Sequence, residues 1–130
     1  HIRQALPNED IIYFADSKYV PYGDKESDWI VSRTTHLISN LVAQGKCKAI
    51  VIACNTMTAV AIETIRAQIN VPLIAIEPAV KPAVAITQSK HIAVLATATT
   101  VKGKNLKSLI RNISISIPEE FVIARSLQSK

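Results

Sequence analysis

Glycine is nearly absent from this chain, with three in 130 residues. That leaves no G-x-G-x-x-G turn and no P-loop, which argues against nucleotide binding. Cysteine is rarer still, at two. If Cys47 and Cys54 share one strand, seven steps of about 3.3 Å hold them roughly 23 Å apart. A disulfide needs Cα atoms within about 7 Å, so both thiols are expected to be reduced, which fits a cytosolic setting. The three histidines, His1, His36 and His91, share no metal-ligand spacing with either cysteine, and no metal site is expected. Aromatic residues make up 5% of the chain. None interleaves with the densest basic group, Lys102, Lys104, Lys107 and Arg111, so that group reads as a solvated helix face and not as a nucleic-acid surface. No apolar run approaches the length of a membrane span. The opening His1-Ile2-Arg3-Gln4 lacks the apolar core of a secretory signal. Residue 1 is not methionine and residues 1–9 read as the tail of a helix, so the chain is expected to begin inside a larger protein.

What is present is apolar material in short, punctuated runs. At 48% hydrophobic and 19% charged residues, the chain can bury a core of ordinary domain size. Ile50 to Ala53 is a continuous apolar run of strand length, of the kind buried on both faces in a parallel sheet. It stops at Cys54-Asn55-Thr56, where a helical pattern begins, with Asn55 or Thr56 suited to the N-cap. Cys54 is thereby placed where a strand ends and a helix starts, the edge at which open α/β sheets bind ligands. The free N–H groups of a helix start favour anions and lower a thiol's pKa.

Further strands are expected at Ile11–Ala15, Leu73–Ile76, His91–Thr97 and Phe121–Ala124. Helices are expected over Ser27–Gln44 with Gly45 as the left-handed cap, over Met57–Ile69, from Pro78 to Thr87, and from Thr100 to Asn112. Ile30, Thr34, Leu37, Ile38, Leu41 and Val42 make the core stripe of the longest helix. His36 lies off that stripe and reads as a surface residue. Strand and helix alternate, which predicts an α/β fold with a parallel sheet and helices on both faces.

Four stretches, in order, resemble the glutamate racemases of the aspartate/glutamate racemase superfamily. They are Asp16-Ser17 with Pro21-Tyr22-Gly23, then Ala53-Cys54-Asn55-Thr56, then Ile76-Glu77-Pro78-Ala79-Val80-Lys81-Pro82-Ala83, then Val94-Leu95-Ala96-Thr97. The resemblance implies two similar α/β domains with the active site between them. Residues 1–90 would be most of the first domain, lacking its first strand, and 91–130 the start of the second. It implies interconversion of L- and D-glutamate without a cofactor. One cysteine thiolate removes the Cα proton and a thiol on the opposite face returns one. Cys54 would be the first of that pair, with Tyr22, Gly23, Asn55 and Thr56 as substrate contacts. The product would supply peptidoglycan synthesis and so cell-wall growth and cell shape, in a bacterial cytoplasm. A small-molecule substrate is implied and a membrane is not, while the oligomeric state stays open, a homodimer included.

The family's opening Asp-Ser-Gly strand and its second cysteine, in a Cys-Thr-His motif, lie outside these residues. Thr99, Gly103 and Leu106 stand where the family usually has glycine, serine and tyrosine, so Thr100 is left out of the expected site. Ala124-Arg125-Ser126 replaces a frequent Ala-Cys-Pro. Glu77 reads as a carboxylate at a helix start, and Cys47 as strand-start packing. Two other readings remain: a racemase of another acidic amino acid such as aspartate, and a non-catalytic anion-binding α/β module.

Overall fold

The computed structural model describes residues 1–45, 47–89, 91–114 and 120–124. The described residues form two parallel strand pairs, each backed by helices. The first unit joins α2 (Ser27–Gly45), β1 (Ile50–Ile52), α3 (Asn55–Arg66) and β2 (Leu73–Ala75), preceded by the short α1 (Ile2–Ala5). The strands β1 and β2 run parallel with Ile50 opposite Leu73 and Ile52 opposite Ala75. The second unit contains α4 (Val80–Ile86), β3 (His91–Leu95), α5 (Ala98–Lys102), α6 (Lys104–Ser114) and β4 (Glu120–Ala124). There β3 and β4 pair in parallel, His91 opposite Glu120. Alternating elements and parallel pairing give the α/β class expected from the sequence.

Helix α2 forms where the apolar stripe predicts, with Ile30, Thr34 and Ile38 buried. The Thr34 hydroxyl donates back to the Ile30 carbonyl at 2.7 Å, which is how a hydroxyl is satisfied inside this face. Gly45 is the last helical residue and adopts no positive φ, so it is not the left-handed cap expected of it. Ile38, Ile50, Ile52, Ala61, Ile62 and Ile65 form one core cluster between α2, α3 and β1. Ile65 is fully buried there. Ile65→Ala in the intact protein is expected to lower its unfolding free energy by about 2–5 kcal/mol, measured by denaturant titration. A loss under about 1 kcal/mol would mean that this face repacks.

Strand β1 is covered on one face only. Ile50 and Ile52 point into the core while Val51 is 43% exposed, so the expectation of burial on both faces fails at Val51. Ile11–Ala15 fails as a strand. No described strand hydrogen-bonds to it, and Ile11, Ile12, Tyr13 and Phe14 are exposed. The segment still runs beside the approach to β1, through the Glu9–Lys48 ion pair and Ile12 against Gly45. Composition favours an extended chain there, but a strand needs a neighbour to take its backbone groups.

Pro78 precedes α4 and does not open it; Ala79 is the N-cap, and Pro82 falls within the first turn. The helix expected from Thr100 to Asn112 is two helices, broken at an extended Gly103. A Cβ on Gly103 would lie 3.2 Å from the Thr100 carbonyl oxygen and 3.3 Å from the Ala59 side chain, so the break rests closely on α3. Leu106 and Leu109 are buried with Val80 and Val94 in a second core. Lys102, Lys104, Lys107 and Arg111 are all exposed, the solvated face expected of them. Residues 125 and 126, part of the departure noted above, lie outside the described residues.

Candidate active site

Cys54 is the N-cap of α3, with extended backbone at φ −142° and ψ 115°. The run Ile50–Ile52 ends the strand, and the chain turns into the helix at once. The cap lies one or two residues earlier than Asn55 or Thr56, because the Thr56 hydroxyl is engaged elsewhere. The Cys54 carbonyl accepts from the Thr58 N–H at 3.0 Å, while its thiol makes no capping bond and is free and half-buried. Cys47 is also unbridged and packs beside the first core, its thiol donating weakly to the Leu41 carbonyl at 3.6 Å. Asn55, the first helical residue, is exposed beside the free N–H groups of the helix start.

Thr56 is buried, and its hydroxyl lies 3.0 Å from that of Thr97. Thr97 ends the segment after β3 and caps α5, its hydroxyl accepting from the Thr100 N–H at 3.3 Å and lying 3.0 Å from the Thr100 hydroxyl. Thr99 donates its hydroxyl to the Gly23 carbonyl at 2.8 Å. A Cβ on Gly23 would sit 2.8 Å from Thr97 Cγ2, inside any real contact. Gly23 and Thr56 therefore converge on Thr97, although they come from a loop and a helix 33 positions apart in the chain.

Sequence reasoning left Thr97, Thr99 and Thr100 out of the site. The departure at Leu106 that counted against Thr100 is a core substitution, 1% exposed, and leaves the turn itself intact. The signal was available: Thr97 stands where a strand gives way to a helix, as Cys54 does.

Tyr22 behaves differently from its neighbour. Its side chain is buried, and its hydroxyl donates to the Asp16 carboxylate. Arg33 of α2 forks onto the same carboxylate, Nε to Oδ2 at 2.9 Å and Nη2 to Oδ1 at 2.5 Å. The Arg33 hydrogen bond holds the Asp16 carboxyl below its ordinary pKa against the opposing effect of burial, with Tyr22 adding to the lowering. Burial first, then the bond to Asp16, pushes the Tyr22 phenol well above its usual range. The Tyr22 hydroxyl has therefore no hydrogen left to donate to a ligand carboxylate, whereas its backbone adjoins Gly23 at the turn.

Next to the α3 start lies a small cleft with Asn55, Thr58, Glu77 and Thr100 among its lining. The Thr58 hydroxyl is buried there with no hydrogen-bond partner among the described residues. Glu77 precedes α4 by three residues and pairs with Lys81 at 3.8 Å, so it is not a helix-start carboxylate. Among the described residues no group of three or more His, Cys, Asp or Glu side chains could hold a metal ion. No helix among the described residues is long and apolar enough to cross a membrane.

The chain is 48% identical over 112 residues to a glutamate racemase of Cupriavidus pinatubonensis, covering 86% of this chain and 41% of that protein. It is 47% identical over 113 residues to one from Ralstonia nicotianae, covering 87% and 40%. The chain thus spans well under half the length of these curated relatives. Among solved structures it superposes on Escherichia coli glutamate racemase, in complex with L-glutamate and the activator UDP-MurNAc-Ala. The TM-score is 0.86 at 29% identity, over 98% of this chain and 47% of that one. The glutamate racemase of Aquifex pyrophilus matches with a TM-score of 0.79 at 33% identity, over 95% and 48%. The family model for Asp/Glu/Hydantoin racemases matches residues 1–128. By that match over nearly its whole length, the chain belongs to the Asp/Glu/Hydantoin racemase family.

Proposed function

We propose that this chain is part of a glutamate racemase, one that interconverts L- and D-glutamate without a cofactor. Residues 1 to about 90 would be most of its first domain and 91 onward the start of its second, with α4 at the end of the first packing onto the core of the second. Cys54 is the proton-transfer group on one face of the substrate, and a second cysteine outside these residues serves the other. In one direction the Cys54 thiolate takes the Cα proton and its electron pair stays on carbon, while the opposite thiol delivers a proton to the other face. The reverse reaction exchanges the roles. Asn55, Thr56 and the backbone at Tyr22 and Gly23 hold the substrate carboxylates, which suit N–H and hydroxyl donors at a helix start.

The observation that carries the reading is the free thiol of Cys54 at the N-cap of α3, at the strand end where Gly23 and Thr56 meet Thr97. The curated relatives, named glutamate racemases at up to 48% identity, favour glutamate over aspartate. A cytoplasmic role supplying D-glutamate for peptidoglycan follows from the same reading.

The test is turnover of D-glutamate and of D-aspartate by the intact protein, followed by circular dichroism and by deuterium uptake at Cα in heavy water. Optical inversion of glutamate with solvent exchange is expected. Turnover confined to aspartate would transfer the assignment to that substrate. Tight glutamate binding without exchange at Cα would favour the anion-binding module.

Residues 1–130 produced alone are expected not to racemise glutamate. A positioned acid–base group contributes about 10²–10⁴-fold, and one cysteine cannot serve both faces. Conversion by the isolated polypeptide at a rate near that of the intact protein would contradict the two-cysteine scheme.

A further inference from the structure

Asp16, Arg33 and Tyr22 form a closed cluster outside the chemistry just described. The Asp16 side chain is 9% exposed and accepts three hydrogen bonds, two from the Arg33 fork and one from the Tyr22 hydroxyl. Aromatic packing closes the cluster. The Arg33 guanidinium lies 4.2 Å from the centroid of the Tyr19 ring. Trp29 meets Tyr19 at 5.8 Å and Tyr22 at 5.9 Å, the latter edge-on. A guanidinium that is both forked onto a carboxylate and stacked on an aromatic face has its direction fixed. Arg33 sits on α2, whose position the first core sets through Ile30, Thr34 and Ile38. The cluster therefore ties the loop of residues 17–26 to a rigid helix at a point adjoining Gly23. On its other side the same loop rests on the Thr97–Thr100 turn, through the Thr99 bond to the Gly23 carbonyl.

We infer that Arg33 and Asp16 are positioning residues: acting through the Tyr22 hydroxyl, they hold the Tyr22–Gly23 backbone where it meets the substrate. The inference rests on the substrate role proposed for that backbone. It assigns Arg33 no contact with a substrate carboxylate, because Asp16 already takes its fork. It assigns the Tyr22 hydroxyl no proton transfer, because Asp16 is its acceptor. A loop displaced by a fraction of an ångström weakens the hold on a ligand more than it changes the proton-transfer step performed at Cys54.

The experiment uses the intact protein with Arg33→Met, Arg33→Lys, Tyr22→Phe and the double variant Arg33→Met/Tyr22→Phe. It reads glutamate kinetics together with tryptic cleavage at the exposed loop residues Lys18 and Lys25. Arg33→Met is expected to raise KM about tenfold with kcat falling about threefold or less. Cleavage at both lysines should accelerate while cleavage at Arg66 in α3 does not. Arg33→Lys should recover only part of the loss, since an ammonium cannot reproduce the fork. The double variant should have a KM no higher than the worse single one, because both residues act along one path.

A KM effect that multiplies in the double variant would place Arg33 on the substrate and overturn the inference. So would an Arg33→Met protein with unchanged KM and unchanged cleavage. If Arg33→Met also speeds cleavage at Arg66, its effect is global, and Tyr22→Phe, which deletes one oxygen, decides by the same two readouts. If the wild-type protein does not turn over glutamate, the functional reading fails on its own. Cleavage then decides alone: equal rates at Lys18 and Lys25 in wild type and Tyr22→Phe overturn the brace.

Discussion

Cys54→Ser in the intact protein is expected to cut glutamate racemisation by about 10²–10⁴-fold, the usual contribution of a positioned acid–base group. Serine keeps nearly the same size, and the Cys54 thiol makes no capping bond whose loss would unsettle α3. Stability should not fall, because serine is itself a favoured N-cap residue. Cys47→Ser should behave in the opposite way, retaining turnover and losing stability. Cys47 packs against the first core and its thiol faces the Leu41 carbonyl, ahead of β1 and not at its carboxyl end. Alkylation read by peptide mass separates the two: Cys54 should be labelled faster, and saturating glutamate should protect it. Equal labelling at both cysteines, indifferent to glutamate, together with an active Cys54→Ser protein, would reduce Cys54 to packing.

The second large effect is expected at Gly23. Its missing side chain is what lets the loop close onto Thr97, since a Cβ would lie 2.8 Å from Thr97 Cγ2 and 2.9 Å from Thr97 Cβ. Contacts that short force movement, and both candidates for moving are consequential. Shifting the loop breaks the Thr99 bond to the Gly23 carbonyl, and shifting Thr97 disturbs its bonds to Thr56 and Thr100. Gly23→Ala should lower kcat/KM for glutamate by about 10²-fold, as a misplacement near 1 Å does. Gly23→Val should do worse. Adding Thr97→Ser, which deletes Cγ2, should restore part of the Gly23→Ala loss. An alanine variant as active as wild type would mean that the loop and the turn separate during the reaction.

The sequence made legible whatever a local pattern decides. Ser27–Gln44 was readable because one stripe, from Ile30 to Val42, repeats through between three and four turns, and the start of α3 because an apolar run meets Cys54-Asn55-Thr56. The N-cap was misplaced because Thr56 prefers a partner 41 residues away, which no local propensity records. Ile11–Ala15 has the composition of a strand, yet pairing is a property of two segments and no described neighbour supplies it. Asp16 and Tyr22 could be singled out within one loop. That Arg33 reaches back 17 positions to join them depends on the direction α2 takes, which is set by its core face. The Thr97–Thr100 turn was passed over because departures at Thr99, Gly103 and Leu106 were weighed as a pattern. Packing shows that they do separate work, a bond to Gly23, a break over α3 and a core contact.

The hydroxyls of Thr56, Thr97 and Thr100 form a row with 3.0 Å between successive oxygens, and in each pair either oxygen can be the donor. Each hydroxyl has one hydrogen and two lone pairs, so the row can point all its O–H bonds one way or all of them the other. The Thr100 N–H feeds into Thr97 in both cases. Reversal needs three bond rotations and moves no carbon, nitrogen or oxygen. An acceptor arriving at the Thr56 end turns the row toward itself, and a donor turns it away, with the same atoms in the same places. A row of this kind has no fixed donor end, so it can meet an acceptor or a donor without moving a heavy atom.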